Sequence, residues 1–341
     1  MLNVPVRVEL LSDFSAIDEP SWNRLLATNR NSTVFQTLAW QRAWWETFSR
    51  GKLLLLAAYE GEQLSAIAPL FADAGMVFFV GSGGSDYLDF LGDVTRTEVL
   101  SGLLHSARKY TPGFVGFRFY HVLDLSPTGQ MLAEAAAGLG LQCFDEGSLE
   151  APALRFADWP EGKRSPTEKN SLVRHERKLQ KHGELRVEHL SESGQILPLL
   201  PGFFDQHVER WKDTGFPSLF LDEVQCRFYR NLTKLAGAAG WLRFTRVTLD
   251  DHPIAFHFGF CVMDRFLWYK PSFDPAWSRW SPGEVLLRSL LLLAQTEKSS
   301  LFDFGLGTEA FKNRFATEVH MVRTWGMYPP DNGGIDEESI V

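Results

Sequence analysis

Cysteine is scarce in this sequence. Cys143, Cys226 and Cys261 are its three cysteines in 341 residues, they lie far apart, and no C-x-x-C occurs. That spacing argues against a disulfide framework and a structural zinc site, and fits buried, reduced thiols in a cytoplasmic protein. Long apolar runs are missing too. The richest, SLLLLAQ at 289–295, falls well short of the roughly 20 residues that span a bilayer, so no membrane span is expected. The opening MLNVPVRVELLSDF has no basic segment followed by an apolar core, so no signal peptide is expected. Positive charge is not in excess: 34 Lys and Arg stand against 42 Asp and Glu, for a formal net charge of −8. Such a balance gives no general attraction to nucleic acid or anionic membrane, and stable nucleic-acid binding is not expected.

Apolar residues make up 45% of the chain, with 27 Phe and 11 Trp. That suffices for a full core in two domains and argues against disorder. VRVEL reads as an opening strand, followed by helices at about 19–28 and 36–48. LLLLAAYEGEQLSAIAPLF (53–71) is two apolar runs around a polar turn, a β-hairpin. MVFFVG is a strand, and the glycine-rich GSGGSDYLDFLG (81–92) is a loop leading into a short strand. Helix (96–110), strand (114–119), helix (126–139) and strand (141–145) follow. Residues 157–168, ADWPEGKRSPTE, look like a linker. EKNSLVRHERKLQKHG is a basic helix stopped by Gly183. After a strand (185–190) and helices (195–213, 222–239), WLRFTRVTLDDHPIAFHFGFCV gives a second hairpin with its turn at 250–253. RFLWYK is a strand, 283–298 a leucine-rich helix, LFDFG a short strand, TEAFKNRF a short helix and HMVRTWGMY a last strand. The order helix, helix, hairpin, strand, helix, strand therefore occurs twice, which suggests two related α/β domains.

Several stretches carry a more specific likeness: SLVRHERKLQKHG, PIAFHFGF, YKPSFDPAWSRWSPGEVLL and FDFGLGTEAFKNRF, with VFQTLAWQRAWW and SDYLDFLG in the first half. Together they resemble the GNAT acyltransferases, in particular the CelD-type (BioF2-like) acetyltransferase group, which is similar in turn to the FemABX peptidyltransferases. The resemblance implies an α/β (α+β) fold of tandem GNAT-like domains, each a mixed twisted sheet flanked by helices. The expected bounds are 1–156, 157–330 with the donor-binding loop, and a polar tail over 331–341. It implies an acyl-CoA-dependent N- or O-acyltransferase, with acetyl-CoA or another acyl-CoA as co-substrate and no metal. The acceptor would be a small molecule or glycan, with association to polysaccharide biosynthesis machinery. FemABX-like transfer from aminoacyl-tRNA, or a non-catalytic GNAT pair acting as a binding module, are the alternatives.

The residues admit these roles and plainer ones. Ser281, Pro282 and Gly283 open the leucine-rich helix. They are either a cap, with Glu284 closing a capping box, or an anion site for the CoA diphosphate, with Arg279 and Arg288 adding charge. In a GNAT fold a backbone N–H on the strand beside the cofactor polarises the thioester, here placed on 253–262. His257, on the side of its strand opposite Phe256 and Phe258, is the candidate base, or a structural histidine. Asp274 and Asp303 are candidate catalytic carboxylates, or a turn cap and a salt-bridge partner. Tyr269 and Lys270 end a strand, and Glu309 and Lys312 can pair on a helix; all four are candidate acceptor ligands. Asp86, Tyr87 and Asp89 either line an acceptor groove or form a turn. Lys169, Arg174, Arg177, Lys178 and Lys181 are a solvated face, or contact CoA phosphates, an anionic glycan or tRNA.

Overall fold

The computed structural model describes residues 5–330. The chain divides into two compact units, one built from residues up to 150 together with those from 320 onward, the other from 151–319. The tail expected over 331–341 lies outside the described residues.

The first unit opens with β1 (Val6–Leu11), α1 (Glu19–Thr28) and α2 (Leu38–Phe48). Asp18 caps α1 by accepting from the Ser21 N–H, and Thr37 caps α2 by accepting from the Trp40 N–H. The expected hairpin is β2 (Lys52–Glu60) and β3 (Gln63–Asp73), closed by a two-residue turn with Gly61 left-handed. Then come β4 (Met76–Phe79), β5 (Leu91–Gly92), α3 (Thr97–Lys109), β6 (Gly116–Leu123) and α4 (Thr128–Gly138). The sheet runs β1-β2-β3-β4-β6, antiparallel except for β4 and β6. Its core joins Phe79, Phe117 and Phe119 to Leu100, Leu103 and Leu104 of α3. β7 (Gln142–Arg155) is much longer than the strand expected over 141–145.

The second unit repeats the plan. After α5 (Asn170–Leu179) come β8 (Leu185–Leu190), α6 (Ser193–Ile196), α7 (Leu200–Trp211), α8 (Glu223–Ala238), β9 (Leu242–Leu249), β10 (His252–Val262), β11 (Arg265–Phe273), α9 (Pro282–Thr296), β12 (Leu301–Asp303) and α10 (Ala310–Asn313). The single helix expected at 195–213 is broken in two, because Pro198 and Pro201 each remove a backbone donor. The sheet runs β12-β11-β10-β9-β8, again with one parallel pair, β11 and β12. Asp250 and Asp251, both left-handed, form the two-residue tip of the second hairpin. α5 ends at Leu179 rather than at Gly183. Gly183 serves a different purpose: a Cβ there would lie 2.2 Å from the Asp250 carboxylate, which accepts from the Glu184 N–H.

Helix α9 buries residues on most of its circumference, among them Val285, Leu286, Leu290, Leu291 and Ala294. It is covered on one side by β10 and β11 and on another by Leu172 and Leu179 of α5. The last strand, β13 (Glu318–Tyr328), was expected to finish the second domain. It pairs antiparallel with β6 of the first unit. The three cysteines are unbridged. No helix of the described residues is long and apolar enough to cross a membrane.

Candidate functional site

The parallel strands β11 and β12 pair over only three residues, Arg265–Leu267 against Leu301–Asp303. β12 then stops, while β11 runs on to Phe273 and leads through a 3₁₀ turn (Pro275–Trp280) into α9. The second half of β11 thus has a ladder partner on the β10 side alone, among the described residues. β10 is paired along both edges. The strand at 253–262, where a backbone donor to a thioester was expected, is thus paired on both sides, and the edge that continues past β12 is that of β11.

The β10–β11 ladder carries a bulge between Phe258 and Phe260. His257 fills it. Its Nε2 accepts from the Tyr269 N–H at 3.2 Å, and its ring stacks on Trp268 with centroids 5.5 Å apart. The ring is 0% exposed, and burial, with help from His189, pushes its pKa down to about 3. Its Nδ1 has no partner among the described residues. His257 is a neutral core residue that locks a strand irregularity; it has no access to a substrate proton. Gly259 makes room for it, since a Cβ there would lie 2.0 Å from the imidazole Cε1 and 2.5 Å from the Leu267 carbonyl oxygen.

Asp303 and Asp274 do not join His257. Asp303 is buried against Arg265, Nη1 to Oδ2 3.0 Å, and its other oxygen accepts from the Gly305 N–H. Asp274 accepts from the Ala276 N–H, capping the 3₁₀ turn, and bonds His252 at 2.9 Å. The three expected catalytic residues thus occupy three separate environments.

Ser281, Pro282 and Gly283 do open α9, with Pro282 as first helical residue. The capping box does not form. Ser281 sits in the left-handed region at φ 59° without a side-chain cap bond. Glu284 turns instead to Arg314 at 2.7 Å, with His175 at 3.8 Å. A Cβ on Gly283 would make ordinary contact, 3.5 Å, with the Phe273 ring. Arg279 is exposed and lies 3.6 Å over the Trp280 ring. Arg288 points away from the helix start: it donates to the Thr167 carbonyl and pairs with Glu176 of α5 at 2.7 Å. The sequence placed it with the diphosphate; the structure places it in a cavity along α5.

Tyr269 is buried beside Tyr229, and the Lys270 ammonium lies 4.3 Å over the Tyr269 ring. Lys312 is 3% exposed, held by Glu309 at 2.7 Å and the Leu306 carbonyl at 2.5 Å. The expected helix pair is present, as an anchor for the loop after β12. In the first unit Tyr87 packs edge-on against Phe35. Asp89 is buried, accepting from Ser126 and Thr128 at the start of α4 and from the Phe90 N–H. Burial raises its pKa to about 6 against those bonds. Both are packing residues, while Asp86 remains half-buried. No group of three His, Cys, Asp or Glu among the described residues is placed to hold a metal.

Residues 168–313 match the acetyltransferase (GNAT) domain family. No curated protein matches the sequence. Among solved structures, FemX superposes with a TM-score of 0.66 at 10% identity, covering 91% of this chain and 96% of that one. L-PGS from Bacillus licheniformis gives 0.54 at 13% identity, covering 85% and 91%. A tandem GNAT protein from the clavulanic acid biosynthesis pathway gives 0.50 at 12%, covering 97% and 100%. Residues 168–313 are thus similar to GNAT acetyltransferase domains. The chain has a fold like that of FemX and of a tandem GNAT protein.

Proposed function

We propose that the chain is an acyl-CoA-dependent N- or O-acyltransferase acting on a sugar or polysaccharide precursor. One observation carries the reading: β11 outruns β12 and delivers the chain to the start of α9. A thioester laid in that gap would lie against the backbone of β11. Its diphosphate would lie toward the α9 start, where the helix dipole favours an anion, Gly283 presents no side chain and Glu284 is neutralised by Arg314. Arg279 in the turn before the helix and Arg314 beside Glu284 are cations near that end. With His257 buried and neutral, proton removal falls to water or to the acceptor's own basicity. The sugar-type acceptor rests on the resemblance of the SPGEVLL and FDFG regions to the CelD-type group.

Binding of acetyl-CoA by thermal shift tests the reading. A ligand that binds the native state alone stabilises it by about 2.7 kcal/mol at a hundredfold excess over Kd. Gly283→Val should melt near the wild-type temperature, because a β-branched residue costs a helix only a few tenths of a kcal/mol. It should lose most of the acetyl-CoA shift. An equal shift in wild type and variant would remove the diphosphate from the α9 start.

A second reading, transfer from aminoacyl-tRNA, is supported by the likeness in fold to FemX. Under it, charged tRNA and not acetyl-CoA would raise the melting temperature.

A further inference from the structure

Two cavities of the second unit adjoin at the start of α5, and one of them runs along it. The larger, about 640 Å³, is lined by Arg164, Arg174, Arg177, Lys178, Lys181 and Arg288, with Glu168 as its carboxylate. The smaller, about 560 Å³, takes Lys163, Lys169 and Arg314, with Asp158 and Trp159. Arg164 and Asn170 line both, and the Arg164 guanidinium donates to the Asn170 Oδ1 at 2.7 Å. The two cavities are therefore neighbouring parts of one trough.

The trough's charge is built in. On α5, positions 174, 177 and 178 follow helical spacing and make one stripe, and Lys181 follows in the turn just after the helix. At 1.5 Å per residue the helical part of that stripe is about 6 Å long, and the lysine beyond it extends the charge further. Leu172 and Leu179 occupy the opposite face and are buried. Arg174, Arg177, Lys178 and Lys181 are exposed, and none has a carboxylate partner among the described residues. By contrast, Arg288 and Arg314 at the trough wall are paired with Glu176 and Glu284. A chain of net charge −8 that leaves four cations without a carboxylate partner along this helix and the turn after it holds a local positive field against its own overall repulsion of anions.

We propose that this trough binds an acidic oligosaccharide, an extended glycan whose carboxylates lie against α5. The glycan identity rests on the acceptor reading above; the requirement for charge rests on the trough alone. Single-stranded nucleic acid needs open aromatic faces for its bases. The aromatic in the lining, Trp159, has its indole N–H bonded to the Arg164 carbonyl and its ring under the Lys169 ammonium at 5.3 Å. Each cavity has the volume of a small-ligand cleft, concave where a duplex would need an open surface. Insertion into a membrane surface requires an apolar face, and that of α5 is already packed on α9.

The test is fluorescence anisotropy of a fluorescein-labelled oligogalacturonate with the full chain, at about 50 and about 200 mM salt. Saturable binding that weakens with salt is expected, with no binding of a neutral dextran oligomer. The double variant Arg174→Glu, Arg177→Glu should bind on the order of tenfold more weakly or worse. The matched variant Arg227→Glu, Lys234→Glu, on the exposed side of α8, should bind like wild type. All these residues are exposed, and melting curves verify that each variant is folded; Arg177→Gln provides a milder version with the same expected direction. Absence of saturable binding, equal binding by the α5 variant and wild type, or tighter binding of duplex RNA than of the glycan overturns the proposal. Binding of the glycan without acetyl transfer to it upholds the trough and counts against the glycan-acceptor reading.

Discussion

Arg265 and Asp303 meet at 3.0 Å across the parallel β11–β12 pair, with side chains only 10% and 2% exposed. The ion pair sits where the two strands are about to part. Removing one member leaves the other charged and buried, which typically costs about 3–5 kcal/mol. Arg265→Met should therefore lower urea stability by that order, and the double variant Arg265→Met, Asp303→Leu should recover a good part of it. Asp303→Asn that melts normally but loses activity would instead give Asp303 a chemical role.

Two buried histidines set the acid limb of stability. Burial pushes both His257 and His207 down to about 3. They are neutral in the folded chain and protonate on unfolding below their ordinary value of about 6.5. Their contribution is complete above that pH and is lost as pH falls toward 3. Asp89, raised to about 6, acts in the opposite sense between about 6 and its ordinary value near 3.8. Net stability should fall on acidification from pH 7 to 4, by about 1.4 kcal/mol per pH unit for each net proton taken up on unfolding. Urea titrations at a series of pH values check this. His257→Gln should flatten the slope, and an unchanged slope would contradict a buried neutral ring.

Gly259→Ala tests the bulge. The added methyl meets the Leu267 carbonyl oxygen and the imidazole of His257 below contact distance, and neither is a flexible chain end. Overpacking of this kind costs about 1–3 kcal/mol. A thermal melt should show the loss, and the double variant Gly259→Ala, His257→Ala should regain part of it.

Much of the architecture was legible in the sequence, because hairpins and amphipathic helices are local patterns. Both hairpins, the basic helix and the Pro282 helix start could be read from spacing. The site was less so. Alternation along IAFHFGF placed His257 opposite Phe256 and Phe258, which is correct. However, both faces of that sheet are covered. Phe256 and Phe258 pack on Phe203 of α7, while His257 stacks on Trp268 beneath α9. A period of two distinguishes faces, not core from cleft. Glu284 had the right spacing for a capping box, but Arg314 lies thirty positions away in sequence and its pull is invisible locally. The cations between 169 and 181 are visible as a set in the sequence. Their meaning depends on Arg164 and Arg288 being brought alongside, which only tertiary structure shows.

The return of β13 to β6 has a consequence for synthesis. On the ribosome the first unit is translated first, yet one edge of β6 stays open until residues 322–327 emerge, after the whole of 151–319. The 151–319 unit has all of β8 to β12 available earlier. Order of translation and order of completion are thus reversed. During that interval the nascent chain carries an unpaired edge next to Phe117 and Phe119, the kind of surface that invites wrong partners.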